Sequence, residues 1–408
     1  MICLNYANYE LKSVNNVEIG FVLPVPPEKV GLVNQLNLVM SLSKDKNIKP
    51  MILTPTPDPD PIYNIKVISI GRSIFFPIKL IRAIRKRSLA IIHLQFYYGL
   101  YGVGESKPVY YISSILSVIT VNILAKMLGI KTIITLHSVF KDITKESVLE
   151  NYKSRRYLNI LIKFVNFLIT ISSSRILVFS QKQLKILSPK SRNNKIKVIP
   201  LGFRKLSVKR RVHEKFAFLY FGFIRRNKGL FDLLEAFERI SIKYDMVQLV
   251  ILAHKDEDSL QVNDGYAEKT LSKIKKLKER CDIVDHIGWS SWEQIQETLE
   301  ICDVLVLPYT DYSNEVSGVV SDLADSGIPI ICSNTPRFQS TLEEDKDALF
   351  FEPGDIVQLC YKMEQIMNDR DLYCRLSHNI KQKAENNSWE KIAKEHLNVY
   401  YSIIKSER

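Results

Sequence analysis

Twice between residues 216 and 354 an apolar strand runs into a tight polar loop that opens a helix, which commits the chain to parallel sheets built from strand–helix–strand units. The first unit reads FAFLYFGFIRRNKGLFDLLEAF. Residues 216–221 form the strand, Gly222 makes the turn, and Arg225, Arg226 and Lys228 fill the loop. Gly229 then precedes a helix with Phe231, Leu234 and Phe237 on its apolar face. The second unit reads CDVLVLPYTDYSNEVSGVVSDLADSGIPIICS, with a buried strand at 304–307, a polar loop, and Ser317 and Gly318 entering a short helix that stops at Gly327. Unpaired N–H groups and the positive end of the helix dipole make such a helix start attractive to anions. A diphosphate fits between the two loops.

The same rhythm runs through the whole chain. Strands are expected at 19–23, 51–54, 66–70, 90–94, 132–136, 176–179 and 197–200, with helices between them, notably at 30–43 and 111–128. A second series follows at 216–221, 248–252, 283–287, 304–307 and 328–332. The fold class is therefore α/β, with two doubly wound, Rossmann-like domains and ligand at the carboxyl ends of the strands. The expected divisions are 1–200, a short polar and basic linker at 201–215, a second domain at 216–387, and a closing helix at 388–408. A chain of 408 residues exceeds what one core accommodates.

Charge divides along that line. Residues 1–200 hold 28 Lys and Arg against 10 Asp and Glu, a net +18, and the remainder holds 29 against 34, a net −5. Such a field attracts polyanions, but no zinc-finger spacing, RNP motif or GxxG clamp points to nucleic acid. Two stretches, IFFPIKLIRAIRKRS at 74–88 and YLNILIKFVNFLITI at 157–171, set cations beside apolar helical faces and point to an anionic membrane surface. Neither is clean enough to span a bilayer, and the plain alternative is a solvated basic face. No charged-then-apolar signal pattern opens the sequence. Six scattered cysteines without a CxxC pair suit a reducing, cytoplasmic compartment, with the protein peripheral at the inner face of a membrane.

Metal chemistry finds little support. Asp58 and Asp60 form a DxD, but prolines at 55, 57, 59 and 61 make that stretch an extended, solvated loop. Asp256, Glu257 and Asp258 also fall in a loop, and no His, Cys or Asp cluster has zinc spacing.

Taken together, the two loops resemble the nucleotide-sugar half of family-4 retaining glycosyltransferases, the glycosyl transferases group 1, which have the GT-B fold. Gly222, Phe223, Ile224, Arg225, Lys228 and Gly229 match the first loop of that family, and Ser317, Gly318, Val319, Gly327 and Pro329 match the second. The resemblance implies transfer of a sugar from a nucleotide diphosphate sugar to a glycan or lipid-linked acceptor in a cleft between the domains, with no cofactor and no metal. It implies donor contacts from Gly31, Gly222, Arg225, Lys228, Ser317, Gly318, Val319 and Asp322. His137, at the end of the strand TIITL, becomes a sugar-facing residue. The two glutamates of the family pattern fall on Asn314 and Asp322, so Glu315 or Asn314 would contact the sugar and Asp322 the ribose. The closing helix would brace the first domain. A catalytically silent nucleotide-sugar-binding partner and a GT-B-fold epimerase are the alternative readings.

Overall fold

The computed structural model describes residues 17–28, 35–97, 100–103, 107–139, 155–188, 194–255, 265–312 and 316–405. The first sheet has seven parallel strands: β1 (Val17–Val22), β2 (Ile48–Thr54), β3 (Lys66–Ser69), β4 (Ile91–Phe96), β5 (Lys131–Leu136), β6 (Arg175–Val178) and β7 (Ile196–Val198), in the order β3-β2-β1-β4-β5-β6-β7. Alternate residues face opposite sides of a strand. Accordingly Val22, Leu53, Ile92, Leu94 and Ile134 enter one core, while Ile19, Phe21, Ile52, Ile91 and Ile133 enter the other. Helices α1 (Leu36–Leu42), α2 (Phe76–Arg85), α3 (Lys107–Met127), α4 (Arg155–Ser172) and α5 (Gln181–Leu187) connect the strands.

Helices α2, α3 and α4 cover one side of the sheet. Phe76, Leu80, Ile81 and Ile84 of α2 and Val165 and Ile169 of α4 are core. In both stretches, then, one set of apolar side chains seals the sheet, while Ile74, Phe75 and Ile78 in the first and Ile160, Phe164, Phe167 and Ile171 in the second stay exposed. Any membrane contact has to come from the exposed set.

The second sheet repeats the design with β8 (Phe216–Phe223), β9 (Val247–His254), β10 (Ile283–Ile287), β11 (Val304–Leu307), β12 (Ile330–Ser333) and β13 (Ala348–Phe351), ordered β10-β9-β8-β11-β12-β13. All its pairings are parallel. Strand β13, the run ALFF, is not among the strands expected from the sequence. Helices α6 (Leu230–Lys243), α7 (Tyr266–Leu277), α8 (Trp292–Ile301), α9 (Gly318–Leu323), α10 (Pro336–Gln339), α11 (Ile356–Asn368) and α12 (Arg370–Asn386) complete this domain. Both sheets reverse strand order beside their first strand, β1 and β8, the switch point where doubly wound sheets take ligand.

Residues 201–215 contain no helix and no named strand, yet they are not a solvated tether. Leu201 and Phe203 are buried, and the backbone at Gly202 lies so close to Trp389 that a Cβ there would stand 2.4 Å from the indole. Arg210 donates to the carbonyl of Cys302 and to Asp303, and Arg204 reaches Asp322 at 3.2 Å. The basic residues of this segment therefore hold it against the second domain.

The final helix, α13 (Trp389–Lys405), packs on the first sheet: Trp389, Ile392, Val399, Tyr400 and Ile403 share a core with Ile19, Phe21 and Ile52. At its centre His93 sits between the hydroxyls of Tyr400 (2.8 Å) and Thr135 (2.7 Å), with the His396 ring 5.8 Å away. Burial keeps these imidazoles neutral, pushing His396 down to about 4 and His93 well below the ordinary 6.5. Their folded pKa values lie below the unfolded one, so the unfolded chain takes up protons that the native state refuses. Stability is then complete above pH 6.5 and is lost as pH falls toward 4. For His396 alone the loss by pH 4 is about 2–3 kcal/mol. A series of urea melts from pH 7 to pH 4 should show this fall, and His396→Leu should flatten it; an unchanged slope would assign the acid sensitivity elsewhere.

Candidate functional site

The two polar loops meet at the carboxyl edge of the second sheet, and a glycine makes the meeting possible. Strand β8 continues to Phe223, two residues beyond its expected end, carrying Gly222 in an extended conformation at φ 152°. Arg226–Lys228 forms a single 3-10 turn, and Gly229 then adopts φ 67°, left-handed, before α6 begins. A Cβ at Gly229 would fall 1.8 Å from the carbonyl oxygen of Pro308, the residue that follows β11. Backbone therefore touches backbone here, and Thr310 N–H donates to the Asn227 carbonyl at 3.1 Å to fix the register.

Tyr309 lies under this junction, buried, with its hydroxyl near Gly222. The Lys228 ammonium stands 3.8 Å from the centre of its ring. Asp311 then receives Asn227 Nδ2 at 3.0 Å and the Arg337 guanidinium at 3.1 Å. Burial alone would raise the Asp311 carboxyl, but Arg337, Lys228 and these hydrogen bonds outweigh it and hold the group below its usual range. Arg337, on the four-residue α10, also donates toward the Val316 carbonyl at 3.5 Å, beside Ser317. One charged chain thus joins the first loop, the loop after β11 and the entrance to α9.

The side chains of the basic loop diverge. Arg225 is half-buried, with its guanidinium 4.8 Å from the centre of the Phe223 ring. Arg226 is exposed, lies 5.6 Å from the Tyr266 ring, and lines a pocket of about 200 Å³ with Asp232, Tyr266, Lys269 and Thr310. Lys228 and Arg225 are therefore placed differently from Arg226.

At the second loop, Ser317 is the N-cap of α9: its hydroxyl accepts from Val320 N–H and its carbonyl from Ser321 N–H. The hydroxyl is thereby engaged within the helix. Helix geometry leaves the amides of Gly318 and Val319 as the outward donors. Asp322 does not stand alone. Arg204 pairs with it while lying 3.7 Å above the Trp292 ring, and burial, partly offset by Arg204, pushes the carboxyl up to about 6.

In the first domain, His137 follows β5, with Nε2 hydrogen-bonded to Gln95 Oε1 at 2.8 Å and the ring against Phe179. Burial lowers its pKa to about 3, so it is neutral, and with Nε2–H donating to Gln95 it keeps an acceptor lone pair on Nδ1. The same edge carries Glu28, bonded to Thr56 at 2.7 Å and paired with Arg72, and Tyr101, whose hydroxyl donates to the Gln95 carbonyl. Gly31, Asn314 and Glu315 lie outside the described residues. Asp58 and Asp60 are exposed, and no cluster able to hold a metal occurs among the described residues.

Sequence reading missed Tyr309, Asp311, Arg337, Arg204 and Glu28. The Pro-Tyr-x-Asp run after β11 was the available signal for the first two, since an aromatic and a carboxylate directly behind a buried strand point into the loop junction. Nothing local announces Arg337 or Arg204, because their partners lie 26 and 118 residues away.

Residues 204–386 match the family model described as glycosyl transferases group 1. The chain is 22% identical over 197 residues to the capsular polysaccharide biosynthesis glycosyltransferase CapM of Staphylococcus aureus, an alignment that spans 48% of this chain and 48% of that relative. Among solved structures it is similar to sucrose-phosphate synthase from Thermosynechococcus elongatus, with a TM-score of 0.72 and 17% identity, covering 95% of this chain and 100% of that one. It is also similar to HepE of Anabaena in complex with UDP and glucose, with a TM-score of 0.68 and 13% identity, covering 94% and 99%. At such identities these likenesses show the fold, which is GT-B.

The Gly229 contact is open to direct test. Gly229→Ala adds a left-handed alanine and a clash with backbone, so it should cost about 2–4 kcal/mol in a denaturant melt. Gly265→Ala, at a similar φ of 69° but with nothing within 4 Å, should cost only about 1 kcal/mol.

Proposed function

We propose, on the premise that residues 204–386 are a domain of the group 1 glycosyltransferases, that this chain transfers a sugar from a nucleotide diphosphate sugar to a glycan or lipid-linked acceptor. The anomeric configuration is retained and no metal or cofactor takes part. The observation that carries this reading is the loop junction, where Lys228, Tyr309, Asp311 and Arg337 form one braced cluster beside Gly222 and the start of α9.

The chemistry follows from charge. As the bond between the anomeric carbon and the diphosphate oxygen breaks, negative charge collects on the leaving group and the sugar turns oxocarbenium-like. A fixed positive potential lowers that barrier most. Arg225, Lys228 and the amides of Gly318 and Val319 supply it, and because they are held before substrate arrives they need no rearrangement. Asp311 neutralises Arg337 and steadies Lys228 without touching the donor. The acceptor oxygen bonds the anomeric carbon on the face the diphosphate leaves, and its proton passes to the departing phosphate oxygen. His137 accepts a hydrogen bond from a sugar hydroxyl through Nδ1, and Asn314 or Glu315 contacts the same sugar. Asp322 receives the ribose hydroxyls, with Arg204 keeping it ionised.

The acceptor side is the basic first domain, and we place the protein in the cytoplasm, peripheral at the inner face of an anionic membrane. Support comes from the net +18 of residues 1–200.

Lys228→Ala should weaken donor binding and slow transfer by about 10²-fold, the scale of losing one electrostatic stabiliser. Arg225→Ala should act similarly and Arg226→Ala hardly at all. Normal turnover in Lys228→Ala would remove the donor-site assignment. A thermal-shift panel of UDP-, GDP-, ADP- and dTDP-sugars identifies the base, because only a bound donor stabilises the fold.

Asp322 adds a pH signature. With its pKa raised to about 6 by burial, the donor affinity measured by titration should fall as pH drops through that value. Arg204→Ala should move the midpoint upward, and a flat profile between pH 5 and pH 7 would separate Asp322 from the donor.

A further inference from the structure

Helices α2, α3 and α4 contain neither Asp nor Glu, and nor do the strands β4, β5, β6 and β7 themselves. The helices lie side by side: α2 packs on α3, and α3 on α4. Their inner sides are accounted for by the core, where Val118, Val121 and Ala125 of α3 meet Val165 and Ile169 of α4. The outer sides are not. On α3, Ile112, Leu116, Ile123 and Met127 recur at helical spacing and are exposed, Leu116 by 56%. On α4, Ile160, Phe164, Phe167 and Ile171 do the same, with Phe164 exposed by 55% and Phe167 by 56%. Each helix is therefore apolar on two sides, of which the fold uses one.

Cations border this face. Lys79, Arg82, Arg85 and Lys86 are exposed on α2, and Lys163 on α4. Where α3 and α4 end, a pocket of about 180 Å³ is lined by Lys126, Lys131, Lys195, Ser172, Ser173 and Ser174. It adjoins Met127 and Ile171, the last members of the two apolar stripes.

We infer that the outer face of α3 and α4 is the surface on which the protein lies in an anionic bilayer leaflet. The apolar stripes enter the acyl boundary, and the lysine pocket takes a lipid phosphate. This rests on the membrane reading above and narrows it to the exposed side of the 157–171 stretch together with α3, which the sequence pattern did not single out. Charge selects the occupant. A second copy would oppose one cationic face, without a carboxylate on its described helices, to another, whereas an anionic leaflet complements both the stripes and their rim. Val109–Met127 is long and apolar enough to cross a bilayer by length and composition. Its inner side is nevertheless fixed to the sheet, and Asn122 donates to Ser172 of α4 at 3.2 Å, so it lies along the interface instead.

The test uses the full chain with phosphatidylcholine vesicles, with and without phosphatidylglycerol. The wild type should sediment with the anionic vesicles at low salt and stay in solution with the neutral ones. Phe164→Asp/Phe167→Asp should lower partitioning about tenfold or more, and Lys126→Glu, Lys131→Glu and Lys195→Glu about fivefold each. Melting temperature and stabilisation by whichever nucleotide sugar the thermal-shift panel selects should not change in any of them. If the Asp pair melts early, Ile112→Gln/Leu116→Gln on α3 replaces it. Wild-type binding that neither pair diminishes overturns the α3–α4 assignment while the membrane reading stands. A wild type that ignores anionic vesicles overturns both. A dimer that the Asp pair dissociates, with no vesicle binding, makes a second copy the occupant and also overturns the proposal.

Discussion

Backbone contact between Gly229 and Pro308 is the constraint on which the second domain's site depends. Two loops that are eighty residues apart in sequence can present one cationic surface only if their main chains touch, and a side chain at Gly229 would prevent it. With that contact made, Tyr309 is pinned beneath Lys228, and Asp311 can reach both Asn227 and Arg337. The junction is stiff because each cation has a partner that is itself held. A site that stabilises developing charge gains from such stiffness, since dipoles and charges already in place cost no reorganisation during the reaction.

The two domains treat charge in opposite ways. The second braces its cations with carboxylates: Arg337 with Asp311, Arg204 with Asp322, Arg210 with Asp303. The first leaves whole helices without a single acidic residue. Ion pairs between partly buried groups position the side chains they join, whereas uncompensated exposed cations act at a distance and fade with salt. The chain thus concentrates geometric precision in one domain and long-range attraction in the other.

Much of this was legible in the sequence. The doubly wound architecture follows from apolar runs of strand length between helical periods, and the strands found lie within a few residues of those expected, apart from the four-residue β13. The loop at 222–229 was readable because glycine and lysine at those positions have few other uses. What was not readable depended on distant pairing. That Asp322 is engaged by Arg204, or that Arg337 completes the junction, requires knowing which segments the fold brings together. The basic apolar stretches were only half readable for a related reason: an amphipathic period marks an apolar side but does not say whether lipid or a sheet covers it. Only the exposed outer stripes of α3 and α4 separate the two.

The packing of α13 on the first sheet bears on the order in which the protein takes shape. Tyr400 closes over His93 and Phe21, yet it is synthesised after every strand of the second domain. While the chain is being made, the Ile19–Phe21 side of the first sheet is covered by Leu38, Val39 and Leu42 of α1 but not yet by α13, so this core closes only after the strands of the second domain have been synthesised. The part of this core that Tyr400 and Ile403 fill therefore stays open until α13 has been made. A chain that stops before Trp389 contains all the strands of both sheets and still lacks a whole helix's share of one core.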